Sequence, residues 1–286
     1  MPQLVWLITG CSSGFGEAFV SEILSRGDLV IATSRNTAKI AHPAQPGVSL
    51  AQLDVTDTQA SLDKIISAAI DIHGRIDVLV NNAGYIAVGS WEDLSVKDLQ
   101  SQFDTNVFGP FKLTRAVLPH FRARGSGTLV FLGSRSGWYG DPFCGAYAGS
   151  KFALEGMVES LRWETEPLGI RTMLIDPGRF RTEFLCSAGN LAVAESRVPD
   201  YTEDYESFLA QIAAEDGRQP GDVAKGVGVI VDLVRGEGVA EGRDRGALVR
   251  LPLGSDCLET IKEKCENTLR MLEKWETVTR STDCEE

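Results

Sequence analysis

The chain has 286 residues, 43% of them hydrophobic, and a formal net charge of −12. That length supports a sizeable core, as one large globular unit or two small ones. The acidic balance argues against nucleic acid or an anionic membrane as the main partner, and no apolar run approaches the roughly 18 residues needed to span a bilayer.

Leu4–Ile8 is a short continuous apolar run, the pattern of a strand buried on both faces. Thr9-Gly-Cys-Ser-Ser-Gly-Phe-Gly16 follows, then Ala18, Phe19, Ile23 and Leu24 at helical spacing. A glycine-rich turn between strand and helix brings backbone N–H groups to a phosphate, and the helix N-terminus adds partial positive charge. The spacing G-x-x-x-G-x-G departs by one residue from the common dinucleotide fingerprint. Such a loop alone carries little; its place between strand and helix gives it weight.

Leu29–Thr33 reads as a second strand. In a dinucleotide fold its tip faces the adenosine ribose, where a carboxylate selects NAD and an arginine accommodates a 2′-phosphate. Ser34 and Arg35 stand there, with no carboxylate, and this favours NADPH. Val48–Leu53 is a third strand, ending in Asp54-Val55. Leu62, Ile65, Ile66, Ala69 and Ile70 mark a helix, and Ile76–Val80 a fourth strand running into Asn81-Asn-Ala-Gly84. A helical stretch with Asn106 near its middle leads to a fifth strand, Thr128–Leu132.

Gly133–Lys151 then carries the chemistry. Ser134 sits at the strand exit, and Tyr147 and Lys151, four residues apart, share one helix face. A phenol of pKa about 10 that exchanges a proton near neutral pH needs a cation beside it, and a hydroxyl nearby can hold a carbonyl oxygen. Tyr-x-x-x-Lys arises by chance as a surface pair, so its weight comes from the other segments. Alternating strands and helices imply a parallel sheet covered on both faces. Ligands bind at the carboxyl ends of such strands, where the glycine turn, Arg35, Asp54, Asn81–Gly84 and Ser134 all fall.

The tyrosine helix continues over Ala153–Glu166, and Ile170–Ile175 is a sixth strand ending in Asp176-Pro-Gly178. Beyond it the alternation fails. Phe180–Gly221 is expected as an irregular lobe over the substrate, with one helix around Tyr205–Ala214; satellite packing of its aromatics is the alternative. Val223–Val234 is a helix and Ala247–Leu251 a final strand. Asp256-x-x-Glu259 suggests a capping box opening a C-terminal helix around 256–280. Its stripe Leu258, Ile261, Cys265, Leu269, Leu272, Trp275 and Val278 is expected to face the core, or else a subunit interface. No repeat, linker or second-domain boundary is visible, so 1–286 reads as a single domain.

Cys11, Cys144, Cys186, Cys257, Cys265 and Cys284 are irregularly spaced without a C-x-x-C pair, which suits reduced cytoplasmic thiols. His42, His73 and His120 lie far apart, so no metal site is expected. The start, Met-Pro-Gln-Leu-Val-Trp, lacks the basic region of a secretory leader.

Taken together, Thr9–Gly16, Asp54-Val55, Asn81–Gly84, Asn106, Ser134, Tyr147 with Lys151, and Pro177-Gly178 resemble the short-chain dehydrogenase/reductase family, in its compact single-domain branch. The tail Arg250–Asp256 is similar to a bacterial and fungal subgroup related to hydroxysteroid dehydrogenases. The resemblance implies an α/β fold of Rossmann type, a doubly wound parallel sheet of about seven strands with helices on both faces. It implies hydride transfer between the nicotinamide and a carbonyl or alcohol carbon. Tyr147 would be the general acid in reduction, with Lys151 lowering its pKa and holding the nicotinamide ribose. Ser134 would bind the substrate oxygen, and Asn106 a relay water. Gly10, Ser12, Ser13, Phe15 and Gly16 would surround the pyrophosphate and adjoining ribose, Asp54 and Val55 the adenine, Asn82, Ala83 and Gly84 the riboses. Thr182, after Pro177 and Gly178, would meet the carboxamide.

The expected activity is therefore NADPH-dependent reduction of a ketone or aldehyde, with NAD(H) the less expected cofactor. Trp138, Phe143, Phe180 and Phe184, with Cys144, suggest an apolar small-molecule substrate. The rivals are an NAD-dependent alcohol or hydroxysteroid dehydrogenase and a non-catalytic dinucleotide-binding regulator. A nucleotide-sugar isomerase would need a longer chain. The family implies a homodimer or homotetramer, paired through helices near Asn106–Arg122 and Tyr147–Pro167.

Overall fold

The computed structural model of the chain describes residues 2–185, 190–244 and 250–284. In chain order the strands are β1 (Val5–Ile8), β2 (Leu29–Ser34), β3 (Val48–Gln52), β4 (Val78–Asn81), β5 (Ile86–Val88), β6 (Gly127–Leu132), β7 (Ile170–Pro177), β8 (Leu191–Val193) and β9 (Arg250–Leu253). The α-helices are α1 (Gly14–Ser25), α2 (Gln59–His73), α3 (Val96–Phe103), α4 (Gly109–Arg124), α5 (Gly145–Thr165), α6 (Pro199–Glu215), α7 (Val223–Arg235) and α8 (Ser255–Arg280). One π-helical turn, Asp104–Phe108, joins α3 to α4.

Seven strands form a parallel sheet in the order β3-β2-β1-β4-β6-β7-β9. The apolar runs give strands because both faces of each are covered. Along β1, Trp6 and Ile8 pack with Phe19 and Ile23 of α1 and Ile230 of α7, while Val5 and Leu7 pack with the α2, α4 and α5 side. Successive side chains thus serve opposite layers, as the two-residue strand period requires. From β1 the chain passes outward to β2 and β3, then returns to place β4 on the other side of β1. This reversal opens a crevice at the carboxyl ends of β1 and β4.

Three expectations need correction. Among the described residues of 180–221 there is more regular structure than expected: β8 pairs with β5 in a small parallel sheet, and α6 is longer than the expected 205–214 helix, because Pro199 opens it and Tyr205, Phe208 and Leu209 pack it onto the body. The capping box does not form. Gly254 is the N-cap, and Asp256 lies in the first turn, where its carboxylate accepts the Arg179 N–H at 2.8 Å. The α8 stripe does not face the core: Cys257 is fully buried, but Leu258, Leu269, Leu272, Trp275 and Val278 are exposed. The final strand starts at Arg250, and the rest of its expected span, 247–249, lies outside the described residues, as does Cys186. No helix among the described residues is long and apolar enough to cross a membrane, and no group of three His, Cys, Asp or Glu among them could hold a metal.

Candidate active site

The glycine turn is shaped by backbone alone. Gly10 and Gly14 take left-handed conformations (φ +72° and +57°). A Cβ at Gly16 would lie 2.2 Å from the Gly10 carbonyl oxygen, so only glycine lets the turn fold onto the start of α1. Ser13, the N-cap of α1, makes no side-chain capping bond, leaving the helix N-terminus to a ligand. Asn82 locks the turn to the end of β4: its Nδ2 donates to Thr9 O at 2.7 Å and Gly10 O at 3.2 Å. Thr9 Oγ1 in return accepts from the Asn82 and Ala83 N–H groups, both at 3.0 Å. A preformed turn against an uncapped helix fits the pyrophosphate of a dinucleotide.

A cleft of ≈ 550 Å³ runs from this turn across the carboxyl ends of the strands. Gly10, Ser12, Ser13, Phe15, Arg35, Asp54, Val55, Asn82, Ala83, Gly84, Ser134, Tyr147, Lys151, Pro177, Gly178 and Thr182 all line it. Two expected site residues do not. Gly16 is buried beneath the turn, and Asn106 lies behind the wall in the π-helical turn. The Asn106 amide is engaged by backbone and side chain: Nδ2 donates to Tyr85 O at 3.0 Å and to Ser150 Oγ at 3.2 Å, and Oδ1 accepts the Tyr85 N–H at 3.2 Å. The extra residue of a π-turn re-aims a side chain in this way, and such turns gather at functional sites.

Tyr147 and Lys151 rise from the first turns of α5 into the cleft floor, and both are buried. The phenol faces the Ser134 hydroxyl, close enough for the two to interact. Burial pushes its pKa up to about 12, with the Ser134 hydroxyl pulling the other way. Burial likewise lowers Lys151 to about 8, opposed by the Asp176 charge. Its Nζ donates to Leu132 O at 2.7 Å and lies 5.8 Å from the centre of the Tyr147 ring. In this arrangement burial is the largest influence on the tyrosine, and it acts upward.

Behind this trio stands a charged cluster. Glu155 continues the Tyr147–Lys151 face by one more turn and accepts the Ser134 N–H at 3.2 Å. Arg250 pairs with Glu155, and its Nε donates to Asp176 at 2.9 Å. Trp138 is not on the cleft wall. Its indole N–H donates to Asp176 at 2.9 Å, and the Arg250 guanidinium stacks on the ring at 4.0 Å. The sequence reading missed Glu155, although its i+4 spacing from Lys151 was a usable signal. Arg250 carried none, since its partners lie far away in sequence.

The far end of the cleft is apolar. Cys144 and Phe184 line it, with the Phe184 ring 6.0 Å from that of Tyr147, whereas Phe180 lines the cleft nearer the glycine turn, its ring 5.1 Å from that of Phe15. Phe143 instead packs behind, against Tyr205 and Phe208 at 5.2 and 5.5 Å. Tyr85, Ile86, Leu191, Phe208 and Ile212, not foreseen as site residues, also line the cleft, and so do the polar Arg135, Asp141, Asn190, Glu215 and Gln219.

These features define a dinucleotide-binding α/β fold with a hydroxyl–phenol–ammonium trio beside the crevice. Residues 4–190 match the model of the short chain dehydrogenase family. The chain is 36% identical to the uncharacterized oxidoreductase YusZ of Bacillus subtilis, over 82% of this chain and 85% of that protein. It is 34% identical to the 3-ketodihydrosphingosine reductase of Bacteroides thetaiotaomicron, over 75% and 77%. A short-chain dehydrogenase from Streptomyces avermitilis superposes with a TM-score of 0.85 at 36% identity, over 99% of this chain and all of that one. The chain belongs to the short-chain dehydrogenase/reductase family, and is an NAD(P)-dependent oxidoreductase. The fold does not choose between cofactors: among more distant structures, ElxO holds NADP (24% identity, TM-score 0.69) and a Burkholderia phymatum relative holds NAD (21%, 0.78).

Proposed function

We propose that this enzyme reduces an apolar ketone or aldehyde with NADPH. The observation that carries this reading is the buried Tyr147 beside Ser134 at the junction of a dinucleotide cleft and an apolar chamber. A phenol with a pKa near 12 keeps its proton at neutral pH, as a general acid must. NADPH, when bound, would supply the hydride. Ser134 holds the substrate oxygen and stabilises the charge growing on it, and Tyr147 delivers the proton to that oxygen. Lys151, fixed by Leu132 O, places a cation beneath the phenol as its proton leaves.

Arg35, exposed at the β2 tip and lining the same cleft, supports a 2′-phosphate. Gly10, Ser12, Ser13 and Phe15, with Gly16 beneath them, would cradle the pyrophosphate, Asp54 and Val55 would flank the adenine, Asn82, Ala83 and Gly84 the riboses, and Thr182 the carboxamide. Asn106 acts by holding the Tyr85 backbone and Ser150. The segment 180–221 is the substrate lobe, since Phe184, Leu191, Phe208 and Ile212 line the chamber. The relative named for a 3-keto sphingoid base is in keeping with the aromatic and aliphatic side chains Phe184, Leu191, Phe208 and Ile212 along the cleft. The test is a screen of NADPH oxidation over ketones, aldehydes, steroids and quinones. Turnover of apolar ketones is expected; bound cofactor without turnover across the panel would instead support a regulatory dinucleotide-binding protein.

A further inference from the structure

After its first turn α8 leaves the body of the molecule. Cys257 is buried, and from Lys262 to Arg280 every residue is exposed. The helix has 26 residues, so the free part projects about 30 Å at 1.5 Å per residue. Most helical stability in proteins comes from packing of an apolar face, and here that face is uncovered. Its apolar residues are not scattered. Leu258, Ile261, Cys265, Thr268, Leu272 and Trp275 follow the alternating three- and four-residue steps of a heptad seam, positions a and d. Leu269, Met271 and Val278 flank that seam, and the large apolar side chains named here, apart from Ile261, are between 49% and 60% exposed.

The flanking rows say what covers the seam. One row, position e, reads Lys262, Leu269, Glu276; the other, position g, reads Lys264, Met271, Val278. In an antiparallel pair of identical helices e meets e and g meets g across the two-fold axis. Lys262 then faces the second copy's Glu276, Leu269 faces Leu269, and Met271 faces Met271. Lys264 lays its stem along Val278. In a parallel pair g meets the following e, which sets Lys264 against Leu269 and Met271 against Glu276, with no ion pair. Glu276 already meets Arg280 on its own helix at 2.8 Å, an exposed pair that leaves carboxylate acceptor sites for a second cation. An antiparallel arrangement also places the two bodies at opposite ends, where they do not collide.

We propose that α8 is an antiparallel dimerisation helix, covered by α8 of a second copy of this chain. A lipid surface is the poorer occupant, because the polar side of α8 carries acids and bases together rather than a basic face.

The test is particle mass by sedimentation equilibrium on the full-length chain across a dilution series. The Leu272→Glu/Trp275→Glu double variant changes only exposed side chains, so the body folds as before. It should halve the mass of the native particle. Lys262→Glu should weaken association, and Lys262→Glu with Glu276→Lys should restore it, which a parallel pair would not do. A native monomer, or an unchanged mass in the double variant, overturns the proposal even if other helices also join subunits. So does co-sedimentation with phosphatidylcholine or phosphatidylserine vesicles that the double variant loses without a change in mass.

Discussion

Lys151 sets how the site responds to pH. Burial lowers it to about 8 while holding Tyr147 near 12, so the pair at neutral pH is a neutral phenol over an ammonium. As pH rises through about 8 the ammonium loses its proton before the phenol does. Reductive kcat/KM should therefore fall above that pH with the slope of one group. A profile flat to about pH 10 would show that Lys151 stays charged and that its burial is not felt. Arg35 acts by a different force, Coulombic and local. Arg35→Asp should reverse the ratio of NADPH to NADH affinity, by a factor on the order of 10 to 100 for one charge-assisted contact turned repulsive. Equal ratios in both proteins, read by cofactor fluorescence titration, would remove the arginine from the argument. Arg250 is the third case. Glu155 and Asp176 are almost wholly buried, so Arg250→Ala removes the cation paired with both and leaves only the more distant Lys151 charge near Asp176. The expected cost is about 3–5 kcal/mol in denaturant unfolding. A cost under about 1 kcal/mol would mean that the cluster is protonated or wet.

At the scale of elements, the sequence revealed what short-range physics controls. Buried parallel strands need unbroken apolar runs, so six strands of the main sheet were legible from their own residues. The glycine turn, with backbone conformations only glycine adopts, was legible for the same reason. What stayed hidden depends on distant partners. β5 and β8 have three residues each and exist because each pairs with the other across more than a hundred positions. The π-helical turn that holds Asn106 is a local insertion with no compositional mark. Trp138 and Phe143 were read as substrate contacts from proximity in sequence, but the chain turns them onto Asp176 and Tyr205. The wall of the chamber comes instead from α6, where Phe208 and Ile212 share a face. Phe208→Ala with Ile212→Ala should raise KM for long apolar substrates by about tenfold, from roughly 1–3 kcal/mol of lost contact. Its kcat on a small ketone should not change. An equal loss on small and large substrates would place α6 in fold maintenance, not recognition.

For the whole molecule, the strand order explains why residues so far apart in sequence share one cleft. Every loop in the site leaves the carboxyl end of a parallel strand: the glycine turn after β1, Arg35 after β2, Asp54 after β3, Asn82 after β4, Ser134 after β6, and Pro177 and Gly178 at the end of β7. The topology builds the dinucleotide floor, and α5 with the 180–221 segment adds chemistry and a chamber on one side. The central claim is that Tyr147 gives its proton to a carbonyl oxygen held by Ser134. Single-turnover oxidation of bound NADPH by a ketone, compared between the native enzyme and Tyr147→Phe, tests it most directly. The variant should bind NADPH with near-native affinity and lose at least about a thousandfold in rate, in line with removal of a positioned acid. A Tyr147→Phe enzyme that binds NADPH and oxidises it at the native rate would contradict the account.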